Sequence, residues 1–110
     1  MWIGPLTFVV VGFLILGTCI PLILHKVPMN HFYGVRIRES FSSAERWYEI
    51  NEYGGRLLAC GSCAIILVGA AGFFAPARYF SWYTAVATVV VLVSVLLPVA
   101  QTIWWARRTR

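Results

Sequence analysis

Three long stretches of this sequence contain no charged residue. They cover residues 2–24, 57–77 and 79–106, which are 23, 21 and 28 positions long. Because the hydrocarbon core of a bilayer is about 30 Å thick, roughly 20 consecutive apolar residues of helix can cross it. A soluble protein with three such stretches would have too little polar surface to cover itself. The sequence therefore predicts an all-α integral membrane protein with three transmembrane helices.

The predicted spans are residues 2–24, 55–74 and 82–105, within one membrane domain that covers residues 1–110. No lysine or arginine precedes Lys26. The first span therefore lacks the basic region of a signal peptide, and we expect it to be retained. Aromatic residues, which favour membrane interfaces, mark the ends of the spans. They are Trp2, Phe80, Trp82, Tyr83, Trp104 and Trp105.

Small residues give the second span two notable patterns. Gly55, Ala59 and Cys63 recur every four residues, which favours close contact with another helix or with a second copy in a homo-oligomer. Cys60 and Cys63 match C-x-x-C, but the sequence lacks the strand before a redox pair and the further ligands of a zinc site. We interpret both cysteines as small helix residues and predict no metal.

The basic residues predict the orientation of the chain. With three spans, the polar segment 25–56 and the C-terminal tail share one side, and lysine and arginine near span ends stay in the cytoplasm. We therefore expect the N-terminus outside and the C-terminus inside. The net charge of +5 reflects this orientation and not a basic stripe for nucleic acid. The predicted cytoplasmic side carries eight basic residues, Lys26, Arg36, Arg38, Arg46, Arg56, Arg107, Arg108 and Arg110, against Arg78 on the other side.

The polar segment contains all four acidic residues of the chain and divides into a loop and a helix. The loop runs from Pro28 to Phe41 and shows no sustained helical period. Ser42, followed three residues later by Glu45, predicts a capping box and a helix start. Apolar and small residues then recur at spacings of three and four, which predicts an amphipathic helix at the membrane surface that leads towards the second span.

This segment does not contain the residues that catalysis, metal binding or ion transport would need. No nucleophile stands beside a base, and His25 and His31 do not complete a metal site. Apart from Arg56 at the start of the second span, the spans contain no Asp, Glu, Lys or Arg to form an ion path. We predict no enzymatic activity and no cofactor. A small-solute or ion transporter assembled from several copies is kept as an alternative.

Eight residues of the segment form a pattern with fixed spacing, N-x3-G-x-R-x6-S-x-E-x-W-x3-N-x3-G. This pattern resembles the SdpI family of bacterial membrane proteins. The chain departs from it after Arg36, where Ile37 and Arg38 replace the Thr-Pro of many members, and it has fewer spans than the namesake. The pattern consists of Asn30, Gly34, Arg36, Ser43, Glu45, Trp47, Asn51 and Gly55.

The resemblance implies a role in immunity against a secreted peptide toxin, with signalling through a cytoplasmic repressor that the membrane protein binds. It also implies a place in the inner membrane of a bacterium, with the lipid bilayer as surroundings. A second alternative is that the pattern only holds the loop in place.

Physical chemistry suggests a structural role for most residues of the pattern. Asn30 can hold the start of the loop by bonding its backbone, and Gly34 allows a tight or positive-φ turn. Arg36 can form an ion pair with Glu45 if the loop folds back. On the helix, Trp47 can pack beneath the loop.

Two further residues of the pattern lie later on the helix. Asn51 stands four residues after Trp47 on the same face and can bond the loop backbone. Gly55 allows close contact with another helix.

Overall fold

The computed structural model describes residues 3–109, and within this range the chain forms three long α-helices. α1 spans Ile3–Ile23, α2 spans Ala44–Gly72 and α3 spans Phe80–Arg108, with short 3₁₀ turns at Arg38–Phe41 and Ala77–Tyr79. All three helices are long and apolar enough to cross a membrane, which confirms the predicted all-α fold with three spans. The predicted anchor Trp2 and the tail residue Arg110 lie outside the described residues.

α2 joins the predicted amphipathic helix and the predicted span 55–74 into one continuous helix of 29 residues. At 1.5 Å per residue it is about 43 Å long, which exceeds the hydrocarbon core of about 30 Å. Its first turns therefore extend beyond the apolar region. We call the side that carries residues 24–43 the loop side of the protein. The amphipathic segment is thus the loop-side end of a span and not a separate surface helix.

α2 is the central helix, and α1 and α3 each pack along it. The buried positions at the contact between α1 and α2 recur every seven residues on both helices. This is the period of helices that cross at a shallow left-handed angle. The Cβ that a substitution would add at Gly55 would lie 3.4 Å from the Cys19 carbonyl oxygen, so the predicted close helix contact of Gly55 is confirmed. The repeating residues are Pro5, Gly12 and Cys19 on α1 and Gly55, Ser62 and Gly69 on α2.

Within the chain, Gly55 packs closely against α1, but the predicted seam of Gly55, Ala59 and Cys63 does not continue along that contact to Cys63, so its contact with a second copy stays a prediction. Cys63 is exposed, and so is Cys60. The physical reason is the helical pitch: a step of four residues overshoots a turn of 3.6 residues, so the pattern rotates away from the neighbouring helix. A step of seven residues stays almost aligned with it.

α3 packs against α2 through glycines and meets α1 at the end opposite the loop. A Cβ at Gly54 would lie 3.1 Å from the side chain of Thr102. At the other end, the Tyr83 hydroxyl donates to the Val68 carbonyl at 2.8 Å. The Phe8 ring stands edge-on to the Tyr83 ring, with centroids 6.1 Å apart. The helices therefore converge on the side away from the loop.

Large apolar side chains cover the outward faces of the helices. Phe13, Leu67 and Leu96 are all more than half exposed, as expected of side chains that face lipid. Trp82 and Trp104 are exposed at the two ends of α3, where the sequence predicts aromatic belts. The chain is therefore a multi-pass membrane protein whose polar groups are concentrated at the loop side.

Candidate partner-binding loop

α1 ends in a Schellman motif that turns the chain into the loop. The Lys26 amide donates to the Pro21 carbonyl at 2.9 Å, and the His25 amide donates to the Leu22 carbonyl at 3.3 Å, which is the hydrogen-bond pattern of this motif. His25 adopts the left-handed conformation, with φ of 58°. Its Nε2 lies 2.9 Å from Glu52 Oε1 on α2. The start of the loop is therefore attached to the second helix.

Asn30 folds the next residues into a compact turn. Its Oδ1 accepts hydrogen bonds from the amides of Phe32 at 2.8 Å and Tyr33 at 2.7 Å. Its Nδ2 donates to the Pro28 carbonyl at 2.8 Å. A side-chain amide that bonds nearby backbone groups in this way stabilises a turn without further partners. The predicted role of Asn30 at the start of the loop is confirmed.

Gly34 lies where the loop passes closest to α2, and only glycine fits there. Its φ is 111°, which residues with a side chain rarely adopt. A Cβ at this position would lie 2.5 Å from Asn51 Oδ1 and 3.3 Å from the Trp47 ring. The predicted positive-φ turn is confirmed, and the close approach gives a second reason for glycine.

Asn51 connects α2 to the loop backbone through hydrogen bonds. Its side chain is 1% exposed. The Oδ1 accepts from the Val35 amide at 2.6 Å, and the Nδ2 donates to the Trp47 carbonyl at 2.9 Å and more weakly to the Val35 carbonyl at 3.4 Å. The asparagine thus pairs with both backbone groups of one loop residue, as a neighbouring strand would. This confirms the predicted contact.

Trp47 fills the space beneath the loop. Its side chain is fully buried, and its Nε1 donates to the Val27 carbonyl at 2.8 Å. The Phe41 ring packs against it with centroids 5.5 Å apart. A buried tryptophan whose N–H has a partner contributes large apolar area without an unpaired polar group. The predicted packing of Trp47 under the loop is confirmed.

A 3₁₀ turn at Arg38–Phe41 brings the loop to the start of α2. The Ser40 hydroxyl accepts from the Ile37 amide at 3.0 Å and donates to the Ile37 carbonyl at 2.7 Å. Ser40 is fully buried, so both backbone groups of Ile37 are satisfied locally. Ser40 lies outside the eight-residue pattern, and only the general preference of serine for turns could have indicated this role.

The capping box predicted for Ser42 and Glu45 is wrong by one residue. The N-cap of α2 is Ser43, whose Oγ accepts from the Arg46 amide at 3.1 Å. The Ser42 hydroxyl instead donates to the Glu39 carbonyl at 2.8 Å and closes the preceding turn. The 3₁₀ turn uses Ser42 and therefore moves the helix start forward by one position.

The predicted ion pair between Arg36 and Glu45 is also wrong. Among residues 3–109, no ion pair joins the two side chains. Arg36 Nη1 donates to the His31 carbonyl instead, because the Asn30 turn brings that carbonyl within reach five residues earlier. Glu45 is exposed in the first turn of α2, where a negative charge interacts favourably with the helix dipole.

A second set of contacts joins this region to the end of α3. Arg46 Nη2 donates to the Ala106 carbonyl at 2.8 Å, and its Nη1 lies 3.2 Å from Thr109 Oγ1. Glu39, which is 8% exposed, pairs with Arg107 at 3.4 Å. No spacing rule links residues 60 or more positions apart, and only the opposite charges of Glu39 and the C-terminal arginines could have suggested their contact.

A half-enclosed cavity of about 360 Å³ lies beneath the loop, between the three helices. Residues 33–37 of the loop cover it, and α2 forms its floor with Gly54, Gly55 and Leu58. Two members of the predicted pattern, Gly34 and Arg36, lie along its covered side. The remaining wall residues are Thr18 and Leu22 from α1, and Pro98, Val99, Thr102 and Ile103 from α3.

Tyr33 holds the loop against α1 at the edge of this cavity. Its hydroxyl donates to the Thr18 carbonyl. Burial raises the pKa of the Tyr33 phenol above its ordinary value, and the Cys19 thiol raises it further. The phenol therefore stays protonated and remains a hydrogen-bond donor at neutral pH.

The arrangement suits recognition by hydrogen bonding, charge and apolar contact. In the described part of the chain, no three His, Cys, Asp or Glu side chains are grouped to hold a metal ion. His25 and His31 have separate surroundings, since His25 contacts Glu52 and the His31 ring stacks on Phe41 at 5.5 Å. The exposed groups that the loop offers to a partner include the Phe32 ring and the side chains of Arg36 and Arg38.

Comparison with protein families gives one match, which covers most of the chain. The model of the SdpI/YfhL protein family matches residues 26–104. This range includes all eight residues of the predicted pattern, the loop, the second helix and most of the third. No curated protein matches the chain, and no solved structure matches it.

Proposed function

The chain belongs to the SdpI/YfhL protein family, and on this basis we propose that it acts in immunity to a secreted peptide toxin, in signal transduction through a cytoplasmic partner, or in both. One observation carries the proposal. The buried residues of the family pattern fix a single loop over α2, and the charged residues of the pattern are left exposed beside it. A loop fixed on a rigid scaffold is a common site of recognition.

The division of the pattern into inward and outward residues supports a surface for a partner. Trp47 and Asn51 are buried and bond the loop backbone. Arg36 and Glu45 are both exposed and do not pair with each other within the described chain. Phe32 is 91% exposed. Arginine and aromatic side chains are enriched where protein interfaces bind most strongly, so these residues are the proposed contacts.

The contacts between the loop region and α3 provide a connection to the membrane. Arg46 bonds the end of α3 at the Ala106 carbonyl, and Glu39 in the 3₁₀ turn pairs with Arg107. A toxin that alters the packing of the helices in the bilayer would displace the end of α3 and, through these bonds, the loop. In this proposal the displaced loop changes its contact with the cytoplasmic partner, and catalysis plays no part.

The proposed location is the inner membrane of a bacterium, with the loop in the cytoplasm. Eight lysine and arginine residues lie on the loop side of the sequence and one, Arg78, lies on the other. Such a distribution favours a cytoplasmic loop and C-terminus and an external N-terminus.

The test is protection of a sensitive bacterium against a panel of membrane-active peptides. Cells that express the chain should survive at least one peptide that kills cells with an empty vector. Arg36→Ala should abolish this protection while the amount of protein in the membrane stays the same. The matched control is Arg56→Ala, an exposed arginine of α2 outside the family pattern that pairs with Glu52 at 3.5 Å, and it should protect fully. Equal killing with and without the protein across the panel would refute the proposal.

A further inference from the structure

The residues that line the cavity beneath the loop indicate on which side it is open. α2 closes it on one side, and loop residues 33–37 close it at the loop side. At the opposite end of the helices, α1 and α3 meet through Phe8 and Tyr83. The open side therefore lies between the two outer helices and faces the hydrocarbon of the loop-side leaflet.

The polar groups in the cavity walls already have partners within the protein. The Thr102 hydroxyl donates to the Pro98 carbonyl at 2.6 Å, and the Tyr33 hydroxyl donates to the Thr18 carbonyl. The rest of the lining consists of aliphatic side chains, glycine and proline, apart from the Thr18 hydroxyl, which donates to the Ile15 carbonyl at 2.7 Å, and Arg36. The interior thus favours an apolar occupant.

Arg36 is the charged residue of the cavity lining, and it lies at the level of the loop. A guanidinium has five N–H donors, and in the described chain one hydrogen bond, to the His31 carbonyl, engages them. No carboxylate lines the cavity within residues 3–109. Glu39 pairs with Arg107, and Glu52 lies beside His25 and Arg56. The loop-side end of the cavity therefore favours an anion.

We propose that this cavity binds an anionic phospholipid of the loop-side leaflet, with an acyl chain between α1 and α3 and the phosphate on Arg36. The planar guanidinium can donate two parallel hydrogen bonds to phosphate oxygens, which a lysine cannot. The volume lies within the range of small-ligand pockets. The inference does not rest on the proposed immunity function, since it concerns the protein in its bilayer without any toxin.

The size of the cavity favours a lipid chain over a helical peptide. A volume of 360 Å³ is that of a sphere about 9 Å across, whereas a helix with its side chains is about 10–12 Å in diameter. An extended hydrocarbon chain is narrower than a helix and can enter between α1 and α3 without separating them. A peptide site would require the outer helices to move apart.

The experiment is native mass spectrometry of the purified full chain in detergent, titrated with dioleoyl phosphatidylglycerol or with zwitterionic dioleoyl phosphatidylcholine. Two variants test the two halves of the site: Arg36→Gln removes the charge, and Val99→Trp fills the cavity. Their matched controls are Arg56→Gln and Val89→Trp. Arg56 lies on the same side outside the cavity lining, and Val89 is exposed elsewhere on α3. Circular dichroism confirms that each variant is folded.

We expect the wild-type chain to bind one phosphatidylglycerol about tenfold more tightly than phosphatidylcholine. Both lipids carry the phosphate, but the choline cation of phosphatidylcholine neutralises it and is repelled by Arg36. Arg36→Gln should remove this preference, and Val99→Trp should weaken binding of both lipids, whereas both controls should match the wild type. Equal affinity for the two lipids, or an equal loss of affinity in the variants and their controls, would mean that lipid binding is non-specific and would overturn the proposal.

A synthetic amphipathic Leu/Lys helix of 20 residues serves as the competing probe. If Val99→Trp abolishes binding of this peptide and leaves phosphatidylglycerol binding unchanged, the cavity is a peptide site and the lipid proposal is wrong. The lipid proposal stands if phosphatidylglycerol binding is lost in Val99→Trp while peptide binding does not differ between this variant and the wild type. The absence of peptide binding to both proteins counts as no difference. Because no toxin is present, either result is independent of the protection assay.

Discussion

Asn51→Ala should release the loop from α2 while leaving the helices packed. The substitution removes the acceptor of the Val35 amide, which lies 2.6 Å from Asn51 Oδ1. It also removes the donor to the Trp47 carbonyl at 2.9 Å. The Asn51 side chain is 1% exposed, so water does not replace these bonds unless the loop opens.

The size of the effect follows from which groups lose a partner. The Val35 amide is left unpaired under the loop, and an unsatisfied buried group costs about 1–3 kcal/mol. The Trp47 carbonyl belongs to a helix and keeps its backbone partner, so the loss of its hydrogen bond from Asn51 costs less free energy. We therefore expect the loop to be destabilised by about 2 kcal/mol, which corresponds to roughly a 30-fold change in its opening equilibrium.

Hydrogen exchange of loop amides that do not bond Asn51 measures this opening. The Tyr33 amide bonds Asn30, and the Ile37 amide bonds Ser40. In Asn51→Ala, the exchange of both amides should become about 30-fold faster, whereas amides in the middle of α3 should be unaffected.

A matched control is Gln101→Ala, which removes a side-chain amide that bonds the Tyr53 hydroxyl at 3.2 Å outside the loop. It should leave the exchange of the loop amides unchanged. If Tyr33 and Ile37 exchange in Asn51→Ala at rates within about threefold of the wild type, a difference of less than 1 kcal/mol, Asn51 does not hold the loop and the reasoning is refuted.

Three further predictions concern thermal unfolding of the purified chain in detergent. Trp47→Phe keeps an aromatic ring but loses the indole N–H and its hydrogen bond of 2.8 Å to the loop. It should destabilise the protein by about 1–2 kcal/mol, and an unchanged Tm would contradict this. Gly12→Ala places a Cβ 2.5 Å from an isoleucine of α2, whereas at Gly17 nothing lies within 4 Å. Gly12→Ala should therefore destabilise the protein by about 1–3 kcal/mol. Gly17→Ala should be neutral or should stabilise it by up to about 1 kcal/mol. Equal effects at the two glycines would show that α1 does not pack as described. Gly34→Ala should destabilise the Asn51→Ala variant less than it destabilises the wild type, because the clash of the new Cβ with Asn51 Oδ1 at 2.5 Å is absent. Strictly additive effects of the two substitutions would argue against this contact.

The roles of Asn30, Gly34, Trp47 and Asn51 could be predicted from the sequence because local chemistry determines them. An asparagine before a turn bonds the next amides, and a glycine within a loop allows a positive φ. Trp47 and Asn51 are four residues apart and therefore lie on one helix face. For these residues the structure confirms both the partner and the reason.

The partners of Arg36 and the start of α2 depended on the path of the loop, which local rules do not determine. The 3₁₀ turn at Arg38–Phe41 takes up Ser42 and moves the N-cap to Ser43. The Asn30 turn offers Arg36 a nearby carbonyl at His31. In both cases a local hydrogen bond replaced the contact that residue type suggested.

The small-residue seam shows a different limit of sequence reasoning. The second span contains small residues at spacings of both four and seven, and the sequence alone did not distinguish them. Packing against α1 selects the spacing of seven, because Pro5, Gly12 and Cys19 repeat with the same period on the other helix. The signal was present on both helices, but it becomes decisive only when the two are compared.

The central claim is that the family pattern fixes the loop on α2, and NMR in lipid nanodiscs tests it most directly. The measurement is the set of nuclear Overhauser contacts from Gly34 and the Val35 amide to the Trp47 ring and the Asn51 side-chain amide. The account predicts these contacts, with loop order parameters near the value of about 0.85 for a rigid backbone. Their absence, with order parameters below about 0.6 for residues 30–37, would contradict it.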